Sequence, residues 1–359
     1  MATSQNNWWV FPGFEIEKVV AGLTLPVNLA FVKNENKNPK TPFLYISELY
    51  GQVKVITYDG TISVYAKDLL NYKPDFKIPG SGESGLTGIC VEPETGDLFL
   101  SMVYIDHGKP KAKVVRTKSK DGLKMENLIT IIDNIPSILG AHQIQALSIG
   151  FDQKLYINLG DGMINPNIAQ DDNDLRGKIL QMNLDGSNVE TFAKGFRNPF
   201  GACWRKSDQS LYISDNGPTI DDRIAKVEQG KNYGWPKTMR QNSLFWWHYT
   251  QGITALDFMQ QDQFDNEYKD NLFIALFGGS FAKGRAIKGK RIVKIELNGD
   301  SSAVKSCDDF VKYVGEGLSS CCGLAFGPDG LYFSDLYGED FDSQTLQGGT
   351  IYKIKQKKG

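Results

Sequence analysis

The chain repeats one pattern six times: an apolar strand, a turn, and a second strand that ends in a carboxylate or close to a glycine. The clearest copies cover Leu29–Leu49, Ile89–Tyr104, Leu147–Asp161, Gly201–Asp215, Ala255–Phe277 and Gly323–Asp335. Each unit has room for about four short strands with Gly and Asp turns, and no stretch keeps a helical period for long. A four-stranded unit repeated without a βαβ pattern predicts an all-β fold, a six-bladed β-propeller with antiparallel blades.

Two further segments with strand character lie outside the repeats. Phe14–Ala21 precedes the first repeat and Thr350–Lys355 follows the last. Pairing both segments in one blade would close the ring and remove the exposed strand edges that invite aggregation. We therefore predict one propeller domain over residues 1–359, closed by N- and C-terminal strands, with irregular structure in residues 1–12.

Composition narrows the function classes. The formal net charge is −2 and 41% of the residues are hydrophobic, which favours neither nucleic acid nor an anionic membrane as partner. No apolar run of about 18 residues occurs, so we predict no membrane span. The first residues lack the charged region and apolar core of a signal peptide. The five cysteines form neither a zinc pattern nor an even framework, and for Cys321 and Cys322 unpaired thiols are favoured over a vicinal disulfide.

Propeller geometry predicts which loops meet. The first strand of each blade lines the central channel, and the loop entering it opens on the same face as the loop leaving the second strand. The entering loops contain Pro26-Val27-Asn28, Gly82-Glu83-Ser84, His142-Gln143, Arg197-Asn198, Tyr249-Thr250-Gln251 and Ser319-Ser320-Cys321. The leaving loops add Glu48, Gly160-Asp161, Asn216-Gly217-Pro218 and Asp335. Polar groups that converge in a concave mouth predict a binding or catalytic site.

His142 is the strongest catalytic candidate among these residues. It precedes the first strand of the third repeat, and Asp161 leaves the same repeat on the same face. A carboxylate bonded to one imidazole nitrogen fixes the tautomer and leaves the other nitrogen as a base. A lone histidine is more often structural, but this position favours catalysis. His107 lies in a polar loop, and His248 is a weaker candidate.

The segment Ala169–Pro236 is the densest in motifs, with "AQDDNDLRGKILQMNLDG", "GFRNPFG", "DNGPTIDDR" and "GKNYGWP" in that order. Here, and through "GESGLTGI" and "HQIQALSIGFDQKLYINLGDG", the chain resembles the glucose/sorbosone dehydrogenase family, soluble quinoprotein sugar dehydrogenases that use pyrroloquinoline quinone (PQQ). The family fold is a six-bladed propeller, which agrees with the repeat count. The resemblance implies oxidation of an aldose or related polyol by hydride transfer to PQQ, with an unknown electron acceptor. It also implies a periplasmic or secreted location, although a cytoplasmic one stays open.

The resemblance assigns roles to the converging residues. His142 would remove the sugar hydroxyl proton, Asp161 would orient it, and Arg197 would stabilise the negative charge that develops on the quinone. The cofactor would be bound by Arg197, Asn198, Asn216, Glu83 and Lys283. Glu83 fits a bond to a sugar hydroxyl and a solvated loop carboxylate equally well.

One departure concerns the residues just before the last blade. Some relatives hold the carboxylates of the cofactor with arginines there, whereas this chain has Ser319-Ser320-Cys321-Cys322. We therefore expect Lys283, Arg285 or Arg291 to reach over from the preceding blade.

The "NGPTIDDR" segment indicates a hard cation, because carbonyl and carboxylate oxygens suit Ca²⁺. The resemblance implies that the carbonyls of Gly217 and Pro218 hold calcium against the quinone, beside Asp222, and that Tyr233 lies near a second calcium. Arg223 stands where the family has glutamate. A cation beside a cation is unfavourable, which argues against the second calcium site.

Two other function classes remain open. A propeller of this kind also serves as a non-catalytic binder of protein or carbohydrate, or as a calcium-dependent hydrolase or lactonase, because fold does not fix chemistry. The retained set of His142, Asp161, Arg197 and Gly217-Pro218 favours the dehydrogenase. The remaining carboxylates that a lactonase would need, such as Glu48 and Asp335, are scattered.

Overall fold

The computed structural model describes residues 7–33, 38–74, 83–278 and 289–357. In these residues the helical segments are two short 3-10 helices, Pro166–Gln170 and Asn266–Tyr268. The strands, labelled β1 to β25 in chain order, are Trp8–Val10, Phe14–Thr24, Pro26–Phe31, Pro42–Glu48, Gln52–Thr57, Ile62–Ala66, Leu86–Val91, Leu98–Asp106, Lys109–Lys118, Asn127–Pro136, Ile144–Ile149, Lys154–Leu159, Lys178–Asn183, Glu190–Lys194, Pro199–Arg205, Ser210–Asp215, Asp222–Val227, Phe245–Trp247, Ile253–Phe258, Leu272–Leu276, Arg291–Leu297, Val304–Tyr313, Cys321–Gly327, Gly330–Asp335 and Gln347–Gln356.

The strands form six antiparallel sheets, which are the blades of the propeller. Blades 1 to 4 are β3–β6, β7–β10, β11–β14 and β15–β18. Blade 5 is β19–β22 with β1 at its outer edge, and blade 6 is β23–β25 with β2 at its outer edge. Each first strand contacts the first strands of both neighbouring blades, and β23 contacts β3. The ring is therefore closed, and the predicted six-bladed β-propeller is confirmed.

Glycines allow the first strands to approach each other closely around the channel. A Cβ on Gly88 of β7 would lie 2.3 Å from both the carbonyl oxygen of Gln145 and the hydroxyl of Ser101. A Cβ on Gly201 of β15 would lie 2.9 Å from the Cα of Ala255 in the next blade. Real Cβ atoms do not approach this closely, so a larger residue at either position would push two blades apart.

Strand β2 closes the ring by pairing antiparallel with β25, from Phe14 opposite Gln356 to Thr24 opposite Gln347. This confirms closure by N- and C-terminal strands. The Phe14 side chain is 3% exposed and packs on three aromatic rings of blade 5, with centroid distances of 4.8–5.1 Å to Phe264, Tyr268 and Phe310. The closing strand therefore contributes apolar burial to the neighbouring blade as well as hydrogen bonds to its own.

The prediction of irregular structure for residues 1–12 is wrong for Trp8–Val10. These residues form β1, which pairs with β22 so that Trp8 lies opposite Tyr313. Trp8 is 3% exposed, and its ring also lies 5.1 Å from Phe333 of blade 6. Burial of this large side chain between blades 5 and 6 stabilises a strand that is too short for sequence periodicity to reveal.

No helix within the described residues is long and apolar enough to cross a membrane.

Phe14→Ala tests the closure. We expect it to lower the free energy of unfolding by about 3–5 kcal/mol, because it removes a buried aromatic side chain and leaves a cavity between blades 5 and 6. Val19→Ala on the same strand is the matched control, since Val19 is exposed and its loss should change stability by about 0.5 kcal/mol or less. Chemical denaturation measures both. Equal effects of the two substitutions would contradict the packing role of Phe14.

Candidate active site

Eight of the eleven residues with a predicted catalytic, cofactor-binding or metal-binding role line one cavity at the mouth of the channel. The cavity has a volume of about 280 Å³, near the lower end of the range of small-molecule sites, roughly 300–1,000 Å³. The eight residues are Glu83, His142, Arg197, Asn198, Asn216, Gly217, Pro218 and Asp222. Loops of blades 2, 3 and 4 thus converge as propeller geometry predicts.

His142 and Asp161 form a buried pair at one side of the cavity. The imidazole Nδ1 lies 2.6 Å from Oδ1 of Asp161, and the two side chains are 7% and 2% exposed. The other carboxylate oxygen of Asp161 accepts a hydrogen bond from the indole Nε1 of Trp235 at 2.8 Å. The carboxylate thereby fixes the proton on Nδ1, and Nε2 is the nitrogen that a molecule in the cavity can meet.

The environment of Asp161 favours its ionised form. Burial raises the pKa of this carboxyl, but hydrogen bonds from His142, from the backbone N–H of Met163 and from Trp235 outweigh burial, and the net pKa lies below the usual value. An ionised Asp161 stabilises positive charge on the imidazole. His142 can therefore accept a proton at Nε2 without leaving an unpaired buried charge.

The backbone around His142 shows how the loop holds the imidazole. His142 has a φ of +54°, a left-handed conformation that is uncommon for a residue with a Cβ and is found where surrounding contacts impose it. Its N–H donates to Glu83 at 2.8 Å. Gly160 passes so close that a Cβ there would lie 2.4 Å from the carbonyl oxygen of His142. The glycine before Asp161 is therefore required for the pair to meet.

Glu83 connects the three blades that build the cavity. From blade 2 its carboxylate accepts the N–H of His142, Nε2 of Gln145 at 3.1 Å and Nδ2 of Asn198 at 3.1 Å. Burial raises the pKa of Glu83, against the opposing influence of His142, Asn198 and Arg197. The structure thus gives Glu83 fixed partners at the cavity wall, although part of the residue stays accessible.

Arg197 and Asn198 are held through their backbone by Asp215, the last residue of β16. Oδ1 of Asp215 accepts the N–H groups of Asn198 at 2.7 Å and of Arg197 at 3.2 Å. The Arg197 guanidinium donates from Nη1 to the carbonyls of Asn216 and Gly217, both at 2.9 Å. Asn198 Oδ1 is buried and has no partner among the described residues. A bound molecule that donates a hydrogen bond would satisfy this oxygen.

The same arrangement recurs in blades 1 and 6. The carboxylate that ends the second strand accepts a backbone N–H from a residue that lies just before the first strand of the same blade. Glu48 accepts from Thr24 at 2.7 Å, and Asp335 accepts from Ser320 at 2.8 Å, as Asp215 does from Asn198. In blade 3 the carboxylate that follows the second strand bonds an imidazole instead.

The side chain of Asn216 faces blade 5. Its Nδ2 donates to the carbonyl of Ile253 at 2.9 Å, and its Oδ1 accepts the N–H of Ile253 at 2.7 Å. This pair of bonds fixes the Gly217-Pro218 turn against β19. The predicted cofactor contact of Asn216 would therefore have to use its backbone or the accessible side of the amide.

Asp222 organises the loop that the sequence assigns to a cation. One of its oxygens accepts the N–H of Gly217 at 2.8 Å, and the other accepts those of Gln251 at 2.6 Å and Gly252 at 2.9 Å. Burial raises the pKa of Asp222 to about 6, although these three N–H groups lower it. Its oxygens are therefore engaged by backbone. Within the described ranges no three His, Cys, Asp or Glu side chains gather into a metal-binding group.

Tyr233 and Arg291 lie apart from the cavity, and two further residues expected at the site are not described. Tyr233 does not line the cavity. Its hydroxyl donates to the carbonyl of Lys226 at 2.7 Å and accepts the N–H of Glu228 at 3.0 Å. Arg291 pairs with Asp309 at 3.1 Å along blade 5. Lys283 and Arg285 fall outside the residues that the structure describes.

The five cysteines are unpaired, which agrees with the expectation for Cys321 and Cys322. Cys322 lines the cavity, whereas Cys321 donates from its thiol to the carbonyls of Leu276 and Arg291.

Sequence reasoning missed two residues that the site needs. Asp215 appears in the sequence only as the end of a repeat, and its role depends on N–H groups 17 and 18 residues away. Trp235 lies 74 residues from Asp161, and its ring faces the Arg197 guanidinium at 5.6 Å. The "GKNYGWP" motif was the available signal, but it does not say which side chain the indole meets.

Comparison with known proteins identifies the family of this chain. A family model described as Glucose / Sorbosone dehydrogenase matches residues 25–307. Over 259 residues the chain is 24% identical to aldose sugar dehydrogenase YliI of Escherichia coli, which covers 61% of this chain and 66% of that protein. Over 202 residues it is 29% identical to quinoprotein glucose dehydrogenase B of Acinetobacter calcoaceticus, covering 45% and 42%. The match thus spans about two thirds of the length of the Escherichia coli protein and less than half of that of the Acinetobacter calcoaceticus protein.

A solved structure extends the likeness to the whole fold. The PQQ-bound form of aldose sugar dehydrogenase from Streptomyces coelicolor superposes with a TM-score of 0.69 at 19% identity, over 95% of this chain and 98% of that one. The fold likeness and the family model, which covers most of the chain, agree with the motifs of the densest segment. This chain belongs to the glucose/sorbosone dehydrogenase family.

Proposed function

We propose that this protein is a quinoprotein dehydrogenase that oxidises an aldose or a related polyol, with His142 as the general base. The buried His142–Asp161 pair at the cavity wall is the observation that carries the proposal. Family membership and the names of the relatives support the same chemistry. When bound, PQQ supplies the acceptor for the hydride that leaves the sugar carbon.

In this proposal His142 and Asp161 together remove the proton of the sugar hydroxyl. Nε2 of His142 takes the proton of the sugar hydroxyl, because loss of hydride from a carbon requires alkoxide character on its oxygen. Asp161 keeps the proton on Nδ1 and stabilises the imidazolium that forms. A positioned base of this kind contributes roughly 10²–10⁴-fold to the rate.

The residues of blade 4 fit an anionic, flat cofactor. Arg197 is the one cationic side chain among the described residues that line the cavity, and its planar donor fork suits carboxylate and quinone oxygens. The unpartnered Oδ1 of Asn198 offers an acceptor beside it. Arg197 would hold PQQ and stabilise negative charge on it, with Asn198 and Glu83 fixing the orientation of the bound molecules.

The predicted calcium fits this loop only together with the cofactor. Ca²⁺ takes about 6–8 oxygen ligands. The loop offers the carbonyls of Gly217 and Pro218, and that of Gly217 already accepts a bond from Arg197. Both oxygens of Asp222 are engaged by N–H groups. A calcium ion here would need its remaining ligands from water and from PQQ, so we propose that ion and cofactor bind interdependently.

His142→Ala tests the base. With PQQ, calcium and an aldose present, we expect turnover to fall by roughly 10²–10⁴-fold while PQQ binding stays within a few-fold of wild type. His107→Ala is the matched control, because His107 is exposed in the turn after β8 and pairs with Asp106. Steady-state kinetics and a binding titration measure the two effects. Turnover that survives in His142→Ala would remove this residue from the mechanism.

Calorimetric titration tests the cofactor. We expect calcium alone to bind weakly, PQQ to bind tightly only with calcium, and chelation to release PQQ, since few other charges hold its carboxylates. Arg197→Gln should weaken PQQ binding by about tenfold or more, the effect of one lost charge-assisted hydrogen bond. If PQQ fails to bind wild type with calcium present, the dehydrogenase proposal fails and a binding propeller takes its place.

Asp222→Asn tests the anchor of the cation loop through pH. The raised pKa means that between about pH 4 and pH 6 the folded protein keeps a proton that the unfolded chain has lost. Wild type should therefore lose stability from this group as the pH rises through that interval, and Asp222→Asn should not. The variant is less stable throughout because it loses an N–H contact, but its deficit should shrink from pH 4 to pH 6. Denaturation across this range measures the deficit, and a deficit that grows with pH would contradict the assignment.

A further inference from the structure

We infer that Arg223 is a built-in cation that positions the active site: its guanidinium fills an oxygen-lined cage and so fixes the loops that carry Arg197 and Trp235. The family pattern implies a second calcium near Tyr233, and the cage explains why this chain does not fit that ion. The positioning role rests on the proposed function, whereas the cage itself does not.

Each of the three guanidinium nitrogens of Arg223 donates to at least one oxygen of the cage. Arg223 is 0% exposed. Its Nη1 donates to the carbonyls of Tyr233 at 2.5 Å and Met239 at 2.8 Å. Its Nη2 donates to the carbonyl of Gly195 at 3.0 Å and to Asp215 at 2.7 Å, and Nε donates to the same Asp215 oxygen at 3.0 Å.

These acceptors are the kind that calcium prefers. One carboxylate and several backbone carbonyls, all hard oxygens from different loops, would suit Ca²⁺ if the centre were open. Here a covalently attached positive charge occupies the centre and donates a hydrogen bond to each oxygen. Because the guanidinium cannot dissociate, the charge of the buried Asp215 is compensated without a metal ion.

Two chains of contacts lead from the cage to the cavity. Asp215, paired with Arg223, uses its other oxygen to hold the N–H groups of Arg197 and Asn198. The Gly195 carbonyl, bonded to Arg223, also accepts the N–H of Trp235 at 3.1 Å. The Trp235 indole in turn holds Asp161. Arg223 therefore supports both the base and the cofactor-binding arginine without touching either.

The first experiment asks whether calcium can occupy the cage once Arg223 is replaced, and it uses protein free of PQQ. Arg223→Glu places a second carboxylate in the cage and removes its cation, so we expect calcium to raise the melting temperature of this variant saturably. Wild type and Arg223→Gln should show a clearly smaller shift with calcium or with chelator. A wild-type shift as large as that of Arg223→Glu would overturn the inference.

The positioning arm uses Arg223→Gln, with Arg205→Gln as the matched control. Arg205 is another arginine of blade 4, with a side chain 12% exposed and paired with Asp270 at 2.9 Å, but it lies at the far end of β15. Arg223→Gln should lower the melting temperature by roughly 5–15 °C, because it leaves a buried carboxylate unpaired. Well below its melting temperature it should also bind PQQ at least about tenfold more weakly, which Arg205→Gln should not.

If Arg223→Glu does not fold, the conservative variant Arg223→Lys still tests the inference. Lysine retains the charge but not the planar fork, so we expect a melting temperature and a PQQ affinity between those of Arg223→Gln and wild type. An Arg223→Gln variant that binds PQQ as wild type does would overturn the positioning role. If wild type itself does not bind PQQ, the proposed function fails, while the calcium response of Arg223→Glu still decides the cage.

Discussion

The face of the propeller that carries the cavity depends on carboxylates that end second strands and accept N–H groups from residues just before the first strands. Glu48, Asp215 and Asp335 do this in blades 1, 4 and 6. Because these oxygens accept backbone N–H groups, the contacts do not depend on which side chains the entering segments present. In blade 3 the carboxylate of Asp161 holds the imidazole of His142 instead. Blade 3 thus uses the corresponding carboxylate to orient a side chain instead of the backbone.

The second constraint is the balance of buried charge around the cavity. Four carboxylates and two guanidinium groups lie around it: Glu83, Asp161, Asp215 and Asp222, with Arg197 and Arg223. Each carboxylate also accepts backbone or side-chain N–H groups. Buried charges are tolerated only when they are paired and hydrogen-bonded. Groups held in this way need little rearrangement when charge develops on a bound molecule, which is the condition for electrostatic stabilisation of a transition state. The raised pKa of Glu83 and the lowered pKa of Asp161 show that neighbouring carboxylates meet different environments.

The fold and the centre of the site follow from sequence because they depend on periodicity. Six repeats predict six blades, and the place of His142 and Asp161 in their repeat predicts that they meet. Contacts that depend on packing could not be predicted in this way. The indole of Trp235 reaches Asp161 across 74 residues, and Trp8 forms a strand because its ring is buried between two blades. From the sequence, only the charge of Arg223 argues against a second calcium. The carbonyls that surround its guanidinium come from distant loops and could be identified only in the structure.

We propose that the protein oxidises a sugar in this cavity with a bound quinone. The most direct measurement is the absorption spectrum of the protein reconstituted with PQQ and calcium, recorded before and after addition of aldoses without any other electron acceptor. We expect an aldose to change the spectrum of the bound quinone in a single turnover, with one equivalent of sugar oxidised per protein. If neither an aldose nor a related polyol alters the spectrum of the bound quinone, the proposed dehydrogenase function is wrong.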